Sequence, residues 1–446
     1  MGNQVNPRRL AVSILDRVFR SDSYADILLD SSFRKMNILP KDRALATELV
    51  YGTLRWLGWM DWILERRYRG KWLKVPSRVR RALEVGLYQI LFLNKVPDYA
   101  VVNETVKIVA DEKGDVWSRV VNGMLREIIR NRETISPPPL EEDPVVAISV
   151  RWSHPEWLVW KWVELFGVDR TISLCRANNK RPDMGVRVNR LKSGREAVQE
   201  ELRRQNIEAS PSGLMEEFLT VEKGGPLSEL EAFRGGLFSI QDVSAGLVGN
   251  LMNPQPGERI LDLTAAPGGK ATHMAELGRD EVVVVAVDCH STRIRKVVEN
   301  RDRLGLQNIY PVLADGKELG VKKVFDKVLV DVPCSGLGTI RRRGELRWRR
   351  KEENIPLLVS LQKSLLEAGV SFVRPGGVLV YSTCSILPEE NAEVVDAFLE
   401  RHPNFTLEDA RLFVDSTVVS QSGFVETWPD LHGTDGSFAA RLKRTQ

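Results

Sequence analysis

The sequence predicts an all-helical domain, then a small α+β subdomain, then an α/β domain built on a parallel, doubly wound sheet. Three observations predict this fold class. Apolar residues recur at helical spacing up to about residue 132, prolines and acidic residues interrupt the pattern at 136–144, and strand and helix patterns alternate after residue 257. We therefore expect a helical domain at 1–135, a linker at 136–149, the α+β subdomain at 150–237 and the α/β domain at 238–446.

Size and composition are those of a soluble protein with several domains. The chain has 446 residues, 43% of them apolar and 28% charged, with 64 basic against 60 acidic side chains. This surplus of positive charge is small, so local clusters must carry any case for a nucleic acid partner. The first residues form no apolar signal core, and the longest aliphatic run, 282–287, is too short to span a bilayer. We expect a cytoplasmic protein with no membrane partner.

The first domain is predicted from helical periodicity. One apolar face carries Leu10, Ile14, Leu15, Val18 and Phe19. A similar run covers 44–57, and a helical bundle is the simplest packing of such segments. The consecutive prolines at 137–139 cannot donate backbone hydrogen bonds and favour extended chain, so the linker is placed there.

The later elements follow from their periodicity as well. For the α+β subdomain we predict a strand at 184–188 and helices at 155–166 and 197–205. For the α/β domain we predict strands at 259–263, 282–287, 309–313, 327–330 and 378–382. Its helices are predicted at 270–277, 291–304 and 357–373, with a further strand at 436–442 on the edge of the sheet. Apolar strands joined by helical crossovers indicate a parallel sheet with helices on both faces.

A ligand of such a sheet binds beyond the carboxyl ends of its strands. The first strand leads into a turn of small residues that lets the backbone approach a ligand: Thr264, Ala265, Ala266, Pro267, Gly268, Gly269 and Lys270. The second strand ends at Asp288, where a carboxylate can accept hydrogen bonds from ribose hydroxyls. The third leads to Asp315, where one can accept from an adenine amino group.

These acidic strand ends favour a nucleoside cofactor without phosphates. The sequence has neither a Gly-x-Gly-x-x-Gly turn nor the spacing of a phosphate-binding loop. S-adenosylmethionine therefore fits better than NAD or ATP. Taken singly, the glycine pair could merely end a strand, and Asp288 could cap the helix that follows it. The acids at successive strand ends together favour the cofactor.

Two cysteines follow neighbouring strands at the same edge of the predicted sheet. Cys334 lies in the string 331–336, and Cys384 lies in the string 382–385. A thiolate is a strong nucleophile near neutral pH, and a second thiol beside a carboxylate can handle protons. One chemistry that needs both is methylation of carbon 5 of a pyrimidine, which cannot attack a methyl donor until a nucleophile has added at carbon 6.

The remaining cysteines and the histidines carry no such pattern. Cys175 and Cys289 fit the common class of inert, buried thiols. Four cysteines without Cys-x-x-Cys spacing indicate neither a disulfide framework nor a zinc site. The isolated histidines lack metal-ligand spacing, so we predict no metal.

Several strings together resemble the RNA 5-methylcytosine methyltransferases. They are Ala265–Lys270, Asp331–Gly336, Ser382–Ser385 and the Glu389–Asn391 string, in the expected order. Upstream, residues 42–56 and 121–126 look like the NusB-type RNA-binding domain of the bacterial Sun/RsmB branch. The resemblance covers nearly the whole chain. It implies a Rossmann-like S-adenosylmethionine-dependent methyltransferase domain behind an all-α NusB-like bundle, acting on a cytosine of 16S rRNA.

The resemblance also implies a role for each of four residues. Cys384 would add to carbon 6 of the cytosine, and Asp331, which also lies in the cofactor set, would bind the nitrogen 3 and amino edge of the ring. Lys270 would help to fix the base and polarise the site. Cys334 would assist loss of the carbon 5 proton and release of the enzyme.

Two details of that resemblance need argument. DNA cytosine methyltransferases attack with the Pro-Cys cysteine, but the added Thr-Cys string is the RNA-type arrangement, so attack is assigned to Cys384. The family usually has a cysteine where this chain has Thr264. A position that contacts the ligand through its backbone should tolerate that change.

Two basic runs supply local charge for RNA. Residues 341–351 carry seven basic side chains against one acidic and follow the Pro-Cys loop, so we expect them to border the catalytic cleft and hold phosphates. The second run is Arg66, Arg67, Arg69, Lys71, Lys74, Arg78, Arg80 and Arg81. Tyr68 and Trp72 interleave with it and could stack on unpaired bases. Taken alone, a charge run more often means a solvated face.

The expected partner is 16S rRNA, free or in an early assembly intermediate, because the target base must leave any stack to reach the cysteine. The protein is expected to act as a monomer. Three alternatives stay open: a transfer RNA substrate, a non-catalytic RNA-binding assembly factor, and methylation of an exocyclic nitrogen. The last would normally show an Asn/Asp-Pro-Pro-aromatic string, and the string 331–334 lacks the aromatic residue.

Overall fold

The structure is a computed structural model that describes residues 5–21, 23–36, 38–223, 225–320 and 324–445. The chain divides into two compact units. One contains residues 1–180 together with 340–351, and the other contains residues 181–339 together with 352–446. Among the helices of the described ranges, none is both long enough and apolar enough to cross a membrane.

The helices of the first 180 residues are α1 (Pro7–Arg20), α2 (Ala25–Lys35), α3 (Pro40–Arg67), α4 (Ser77–Phe92), α5 (Asp98–Lys113), α6 (Asp115–Arg130), α7 (Pro144–Trp152), α8 (Glu156–Phe166) and α9 (Val168–Asn179). Later helices are α10 (Arg195–Arg204), α11 (Glu231–Arg234), α12 (Val243–Met252), α13 (Gly269–Leu277), α14 (Ser291–Leu304), α15 (Leu346–Arg349), α16 (Asn354–Phe372), α17 (Ala392–Arg401) and α18 (Pro429–His432).

The strands are β1 (Met184–Val188), β2 (Glu208–Pro211), β3 (Phe218–Lys223), β4 (Phe238–Ile240), β5 (Arg259–Asp262), β6 (Val283–Asp288), β7 (Ile309–Leu313), β8 (Phe325–Asp331), β9 (Val373–Thr383), β10 (Phe405–Glu408), β11 (Val425–Thr427) and β12 (Ser437–Arg444).

A helical bundle forms the first unit, as the periodicity predicted. The side chain of Asn6 caps α1 by accepting from the backbone N–H groups of Arg8 and Arg9, and Pro7 occupies the first helical turn, where its missing N–H costs nothing. Apolar faces of α1, α3, α4, α5 and α6 close one core. α7, α8 and α9 also belong to this unit, beyond the predicted linker. The domain boundaries drawn from the sequence remain predictions.

A four-stranded antiparallel sheet opens the second unit, in the order β2-β3-β1-β4. The predicted strand 184–188 is β1, and the predicted helix 197–205 is α10, which begins two residues earlier. Val198 and Leu202 of α10 pack on Val186, Val188 and Phe238 of the sheet. The small α+β subdomain is therefore present.

The large sheet has the order β10-β12-β9-β8-β5-β6-β7, with β11 paired to β12. Strands β5 to β9 are parallel, so the predicted doubly wound sheet is confirmed for these five strands. The prediction of an edge strand at 436–442 is wrong in its position. β12 lies between β9 and β10 and is antiparallel to both, because the chain first forms the short strand β10 and then returns.

Strand order reverses beside β5. The chain runs from β5 outward through β6 to β7 and then crosses back to β8 on the other side of β5. Ligands of doubly wound sheets bind in the crevice at such a switch point. We therefore expect the ligand site at the carboxyl ends of β5 and β8.

Candidate active site

Asp331, at the end of β8, is the centre of a hydrogen-bonded cluster. Its Oδ2 accepts from Nζ of Lys270 at 2.7 Å, and its Oδ1 accepts from the hydroxyl of Ser382 at 2.8 Å. The backbone oxygen of Asp331 accepts from the Thr264 hydroxyl at 2.6 Å. These hydrogen bonds connect the carboxyl ends of β5, β8 and β9. The side chain of Thr264 forms this link, so the position does more than contact a ligand through its backbone.

α14 packs against the turn after β5 and donates hydrogen bonds to its backbone. Gly268 has φ +101°, and a Cβ there would lie 3.2 Å from Cα of Val297, so the tight approach to α14 requires glycine. Arg293 donates to the backbone oxygen of Ala266 at 2.9 Å, and Asn300 donates to that of Pro267 at 3.0 Å. The turn then enters α13 at Gly269, which brings Lys270 to Asp331.

The two predicted nucleoside acids lie in different surroundings. Asp288 is buried at the end of β6, where its Oδ1 accepts from the backbone N–H of His290 at 2.9 Å. Asp315 follows β7 in an exposed turn, where its Oδ1 accepts from the backbone N–H of Lys317 at 2.9 Å. Each acid therefore shapes its own turn. The second oxygen of each carboxylate faces a basic side chain, with Nη2 of Arg293 3.4 Å from Asp288 and Nζ of Lys317 3.6 Å from Asp315.

Asp262 was not selected from the sequence, although it ends β5. Its side chain is buried, one oxygen accepts weakly from the Thr264 N–H at 3.3 Å, and the other has no hydrogen-bond partner among the described residues. Burial, and secondly the charge of Asp331, raise the pKa of Asp262 to about 7. The signal that could have found it is the one used for Asp288: an acid at a strand end.

The two predicted cysteines are adjacent. Their sulfur atoms are 2.9 Å apart, and the backbone N–H of Cys384 donates to Sγ of Cys334 at 3.3 Å. Both residues are partly accessible. The hydrogen bond to Cys384, burial and the negative charge of Cys384 raise the pKa of the Cys334 thiol well above its usual value. The surroundings of Cys334 therefore favour its protonated form.

Lys270 remains a cation in this site. Burial lowers its pKa, but the neighbouring negative charges of Asp331, Cys384 and Asp262 raise it by more, and the net change is upward. Its side chain is only 18% exposed. Its positive charge therefore lies close enough to Cys384 for the two groups to interact electrostatically.

Expectations for the other two cysteines had different outcomes. Cys175 is buried in the first unit, as predicted, and burial raises the pKa of its thiol. Cys289 is exposed, so the expectation that it is a buried thiol is wrong. Together with Asp288 and His290 it forms a group whose candidate ligand atoms lie within 4.8 Å of one another. One of these three consecutive residues, Asp288, is the acid predicted to bind the ribose. The absence of a metal stays a prediction.

Some residues of the two basic runs are buried and are not available to bind RNA as predicted. Arg347, in the run 341–351, is completely buried in the first unit and donates to the backbone oxygens of Arg55, Ser153 and Asn178. It cannot also bind phosphate. In the second run, Trp72 is buried in the bundle core and cannot stack on a base.

Arg81 in the second run is also buried, with Nη2 2.8 Å from the carboxylate of Glu84. The exposed basic side chains of this run are Arg66, Arg69, Lys71 and Lys74. A smaller basic surface than the sequence suggested therefore remains for a nucleic acid.

Three family models match successive parts of the chain. The model described as 16S rRNA methyltransferase RsmB/F matches residues 249–443. The NusB family matches residues 5–130, and an RsmF/B-like ferredoxin-like domain matches residues 154–228. The predicted NusB-like bundle is thus confirmed, and the α+β subdomain is of the ferredoxin-like type.

Comparisons over the whole chain agree with the family models. A Synechocystis protein, "probable ribosomal RNA small subunit methyltransferase B", is 36% identical over 446 residues, covering 99% of this chain and 100% of that protein. The crystal structure of PH0851 has a TM-score of 0.83 and 27% identity, and the match covers 99% of each chain. NSun6 from Pyrococcus horikoshii, solved with SFG, has a TM-score of 0.59 and 25% identity over 66% of this chain and 98% of its own.

Proposed function

Because the chain belongs to the RsmB/F family of 16S rRNA methyltransferases, we propose that it methylates carbon 5 of a cytosine in 16S rRNA through a covalent cysteine–cytosine adduct. The observation that carries this proposal is the pair of sulfur atoms 2.9 Å apart, next to the Lys270–Asp331 ion pair. A methyl transfer to a ring nitrogen or an exocyclic nitrogen needs no such pair. Addition to carbon 6 and later elimination need both a nucleophile and a group that handles the carbon 5 proton.

S-adenosylmethionine is the cofactor of these methyltransferases, and the residues after β5 fit it. The buried Asp262 oxygen, unpartnered among the described residues, suits a cationic group of the ligand, and the turn at Gly268 and Gly269 leaves room for close approach of the backbone. Asp288 and Asp315 would bind the ribose and the adenine. The cofactor supplies a methyl group on a positively charged sulfur.

The two cysteines have different tasks in the proposed reaction. Cys384 would add to carbon 6 as a thiolate, and the adjacent thiol of Cys334 would donate a hydrogen bond to it before the addition. This addition makes carbon 5 electron-rich enough to take the methyl group. Once Cys384 is bonded to carbon 6, it no longer carries the negative charge that holds the proton on Cys334. The Cys334 proton would pass to solvent, and the resulting thiolate would accept the proton on carbon 5. The electron pair of that C–H bond re-forms the carbon 5–carbon 6 double bond, and Cys384 leaves as a thiolate.

Lys270 and Asp331 would hold the base and balance its charge. The cytosine amino group would donate to Asp331, and the proton shared by the Lys270–Asp331 pair would face nitrogen 3 as negative charge develops on the ring. Charge-assisted hydrogen bonds in a partly buried site are stronger than neutral ones, so the pair stabilises the adduct.

The assignment of roles is tested by replacing each cysteine in turn. Cys384→Ala should abolish both methyl transfer to naked 16S rRNA and any protein–RNA complex that survives a denaturing gel. Cys334→Ala should also stop turnover, but it should accumulate that covalent complex, because the adduct forms and cannot be resolved. Methyl transfer is measured with labelled cofactor, and the product is identified as 5-methylcytosine by mass spectrometry of digested RNA.

Cys175→Ala is the control, since this buried thiol lies in the helical unit and should leave methylation unchanged. The reverse pattern, with the complex accumulating in the Cys384 variant, would exchange the two roles. Transfer RNA and assembled small subunits serve as alternative substrates in the same assay. Greater activity on transfer RNA than on 16S rRNA would contradict the proposed substrate.

A further inference from the structure

The buried carboxylate of Glu390 joins the two loops that carry the cysteines. It lies in the turn between β9 and α17 and is fully buried. Oε1 accepts from the backbone N–H of Ser335 at 2.8 Å and from Nε2 of Gln362 at 2.9 Å. Oε2 accepts from the hydroxyls of Ser335 and Ser385, each at 2.5 Å. Each of these serines directly follows one of the two cysteines in the chain.

The position of this carboxylate is itself fixed from both sides. The backbone oxygen of Glu390 accepts from the hydroxyl of Tyr381 in β9 at 2.6 Å. Gln362 of α16 donates to the backbone oxygen of Pro333 at 3.1 Å as well as to Glu390. An ionised carboxylate offers about four acceptor sites, and these donors fill them. A buried carboxylate is costly unless it is satisfied in this way, so its donors are held tightly.

We propose that Glu390 is a positioning residue that sets the separation of the Cys334 and Cys384 sulfurs. One oxygen of Glu390 binds both serine hydroxyls, whose oxygens are 3.2 Å apart. The cysteines that directly precede these serines have their sulfur atoms 2.9 Å apart. Glu390 acts through these loops and does not touch the substrate. The inference rests on the proposed function, since the covalent mechanism is what requires the sulfurs to be adjacent.

A readout that needs no methyl transfer is the tendency of the two thiols to pair. In a buffer of oxidised and reduced dithiothreitol, the two cysteines lose two electrons and two protons and form one sulfur–sulfur bond. Oxidised dithiothreitol takes up both and becomes the dithiol. The equilibrium constant for formation of this disulfide is called here the pairing constant. It is obtained by trapping free thiols with an alkylating reagent and measuring the mass of the protein by mass spectrometry. The tendency to pair rises steeply with the effective concentration of one thiol at the other.

Variants of Glu390 should change this constant in a graded way. Glu390→Ala should lower it by about tenfold or more, because both loops lose their common acceptor. Glu390→Gln should retain most of it. Its amide oxygen can still accept from the Ser335 N–H, and its amide group can donate to the two hydroxyls, which rotate to accept. Glu393→Ala, which removes an exposed carboxylate from α17, is the matched control and should leave the constant unchanged.

Single-hydroxyl variants keep the test decisive if Glu390→Ala does not fold. Ser335→Ala and Ser385→Ala each remove one donor and leave the carboxylate in place, so each should lower pairing by less than the loss of Glu390. The inference is overturned if a folded Glu390→Ala protein, or both serine variants, pair within about twofold of the parent. It is also overturned if the parent thiols do not pair at all.

Kinetics separate this role from general stability. With 16S rRNA as substrate, Glu390→Ala should lower kcat about a hundredfold, while the Kd for S-adenosylmethionine stays within about twofold, because Glu390 does not contact the turn after β5. Glu390→Gln should restore most of kcat. A parent protein that pairs its thiols but does not methylate cytosine would refute the proposed function and leave the positioning role to be judged by pairing alone.

Discussion

The carboxyl group of Asp262 shows how a single residue can link the site to pH. Burial and the nearby charge of Asp331 raise its pKa from an ordinary 3.8 to about 7. A raised pKa means that folding favours the protonated form. The stability that this group contributes is complete below about pH 3.8 and is lost as the pH rises towards 7. A cationic ligand has the opposite preference, because it binds the ionised carboxylate better.

We therefore predict that S-adenosylmethionine binds more tightly as the pH rises from 6 to 8, with release of a proton. Asp262→Asn should weaken binding about tenfold at pH 8 and flatten the pH dependence, since an amide carries no charge to match the ligand. Calorimetry in two buffers of different ionisation enthalpy measures both Kd and protons released. An Asn variant with the parent's pH dependence would show that another group titrates.

At the scale of elements, strand β1 of the ferredoxin-like sheet supports the first turn of α13. The guanidinium of Arg187 is fully buried and donates to the backbone oxygen of Gly269 at 2.7 Å and to the Thr272 hydroxyl at 3.0 Å. It also binds both carboxylate oxygens of Glu276 at 3.0 Å and the amide oxygen of Gln241. The strand thus fixes the helix that begins next to Lys270.

Arg187→Lys should therefore be more harmful than a change of like charge suggests. A lysine cannot donate in the planar fork that Arg187 uses, so the Gly269 oxygen or the Glu276 carboxylate loses its partner while buried. We predict a loss of about 2 kcal/mol or more in the free energy of unfolding and weaker cofactor binding. Denaturant unfolding and calorimetry measure the two effects.

Arg190→Lys is the matched control for that variant. Arg190 lies three residues along the same segment, and its ion pair with Glu216 is exposed, at 57% and 74% of the two side chains. Exposed pairs contribute about 0–1 kcal/mol, so neither stability nor cofactor binding should change measurably. Equal losses in the two variants would mean that the buried fork has no special role in holding α13.

At the scale of the whole molecule, the sequence predicted best what local pattern and sheet topology determine. Asp331, Cys334 and Cys384 could be placed together because parallel strands end at the same edge of a sheet. The interior position of β12 could not be predicted, since β10 has only four residues and gives little periodic signal. Glu390 was visible as part of a family string, but its partners lie 55 residues away in one loop and five in the other.

The basic run 341–351 shows a second feature that could not be predicted from the sequence, namely which of its charged side chains are exposed. Sequence alone cannot distinguish an arginine that faces solvent from one whose donors are used inside the protein. Arg347 is buried and donates its hydrogen bonds inside the protein. The neighbouring Trp348 donates to the backbone oxygen of Leu54 at 2.7 Å. The segment therefore packs within the helical unit although it is connected on both sides to residues of the other unit. Long-range packing of this kind leaves no periodic signal.

This packing makes a last prediction about stability. Arg347→Ala should lower the free energy of unfolding by about 3 kcal/mol, because the buried backbone oxygens of Arg55, Ser153 and Asn178 lose their donor together. Arg69→Ala, which removes an exposed arginine of the same unit, should change it by less than about 0.5 kcal/mol. Denaturant unfolding followed by tryptophan fluorescence compares them. Similar small losses in both would mean that segment 340–351 is held in the helical unit by its apolar contacts and not by the guanidinium.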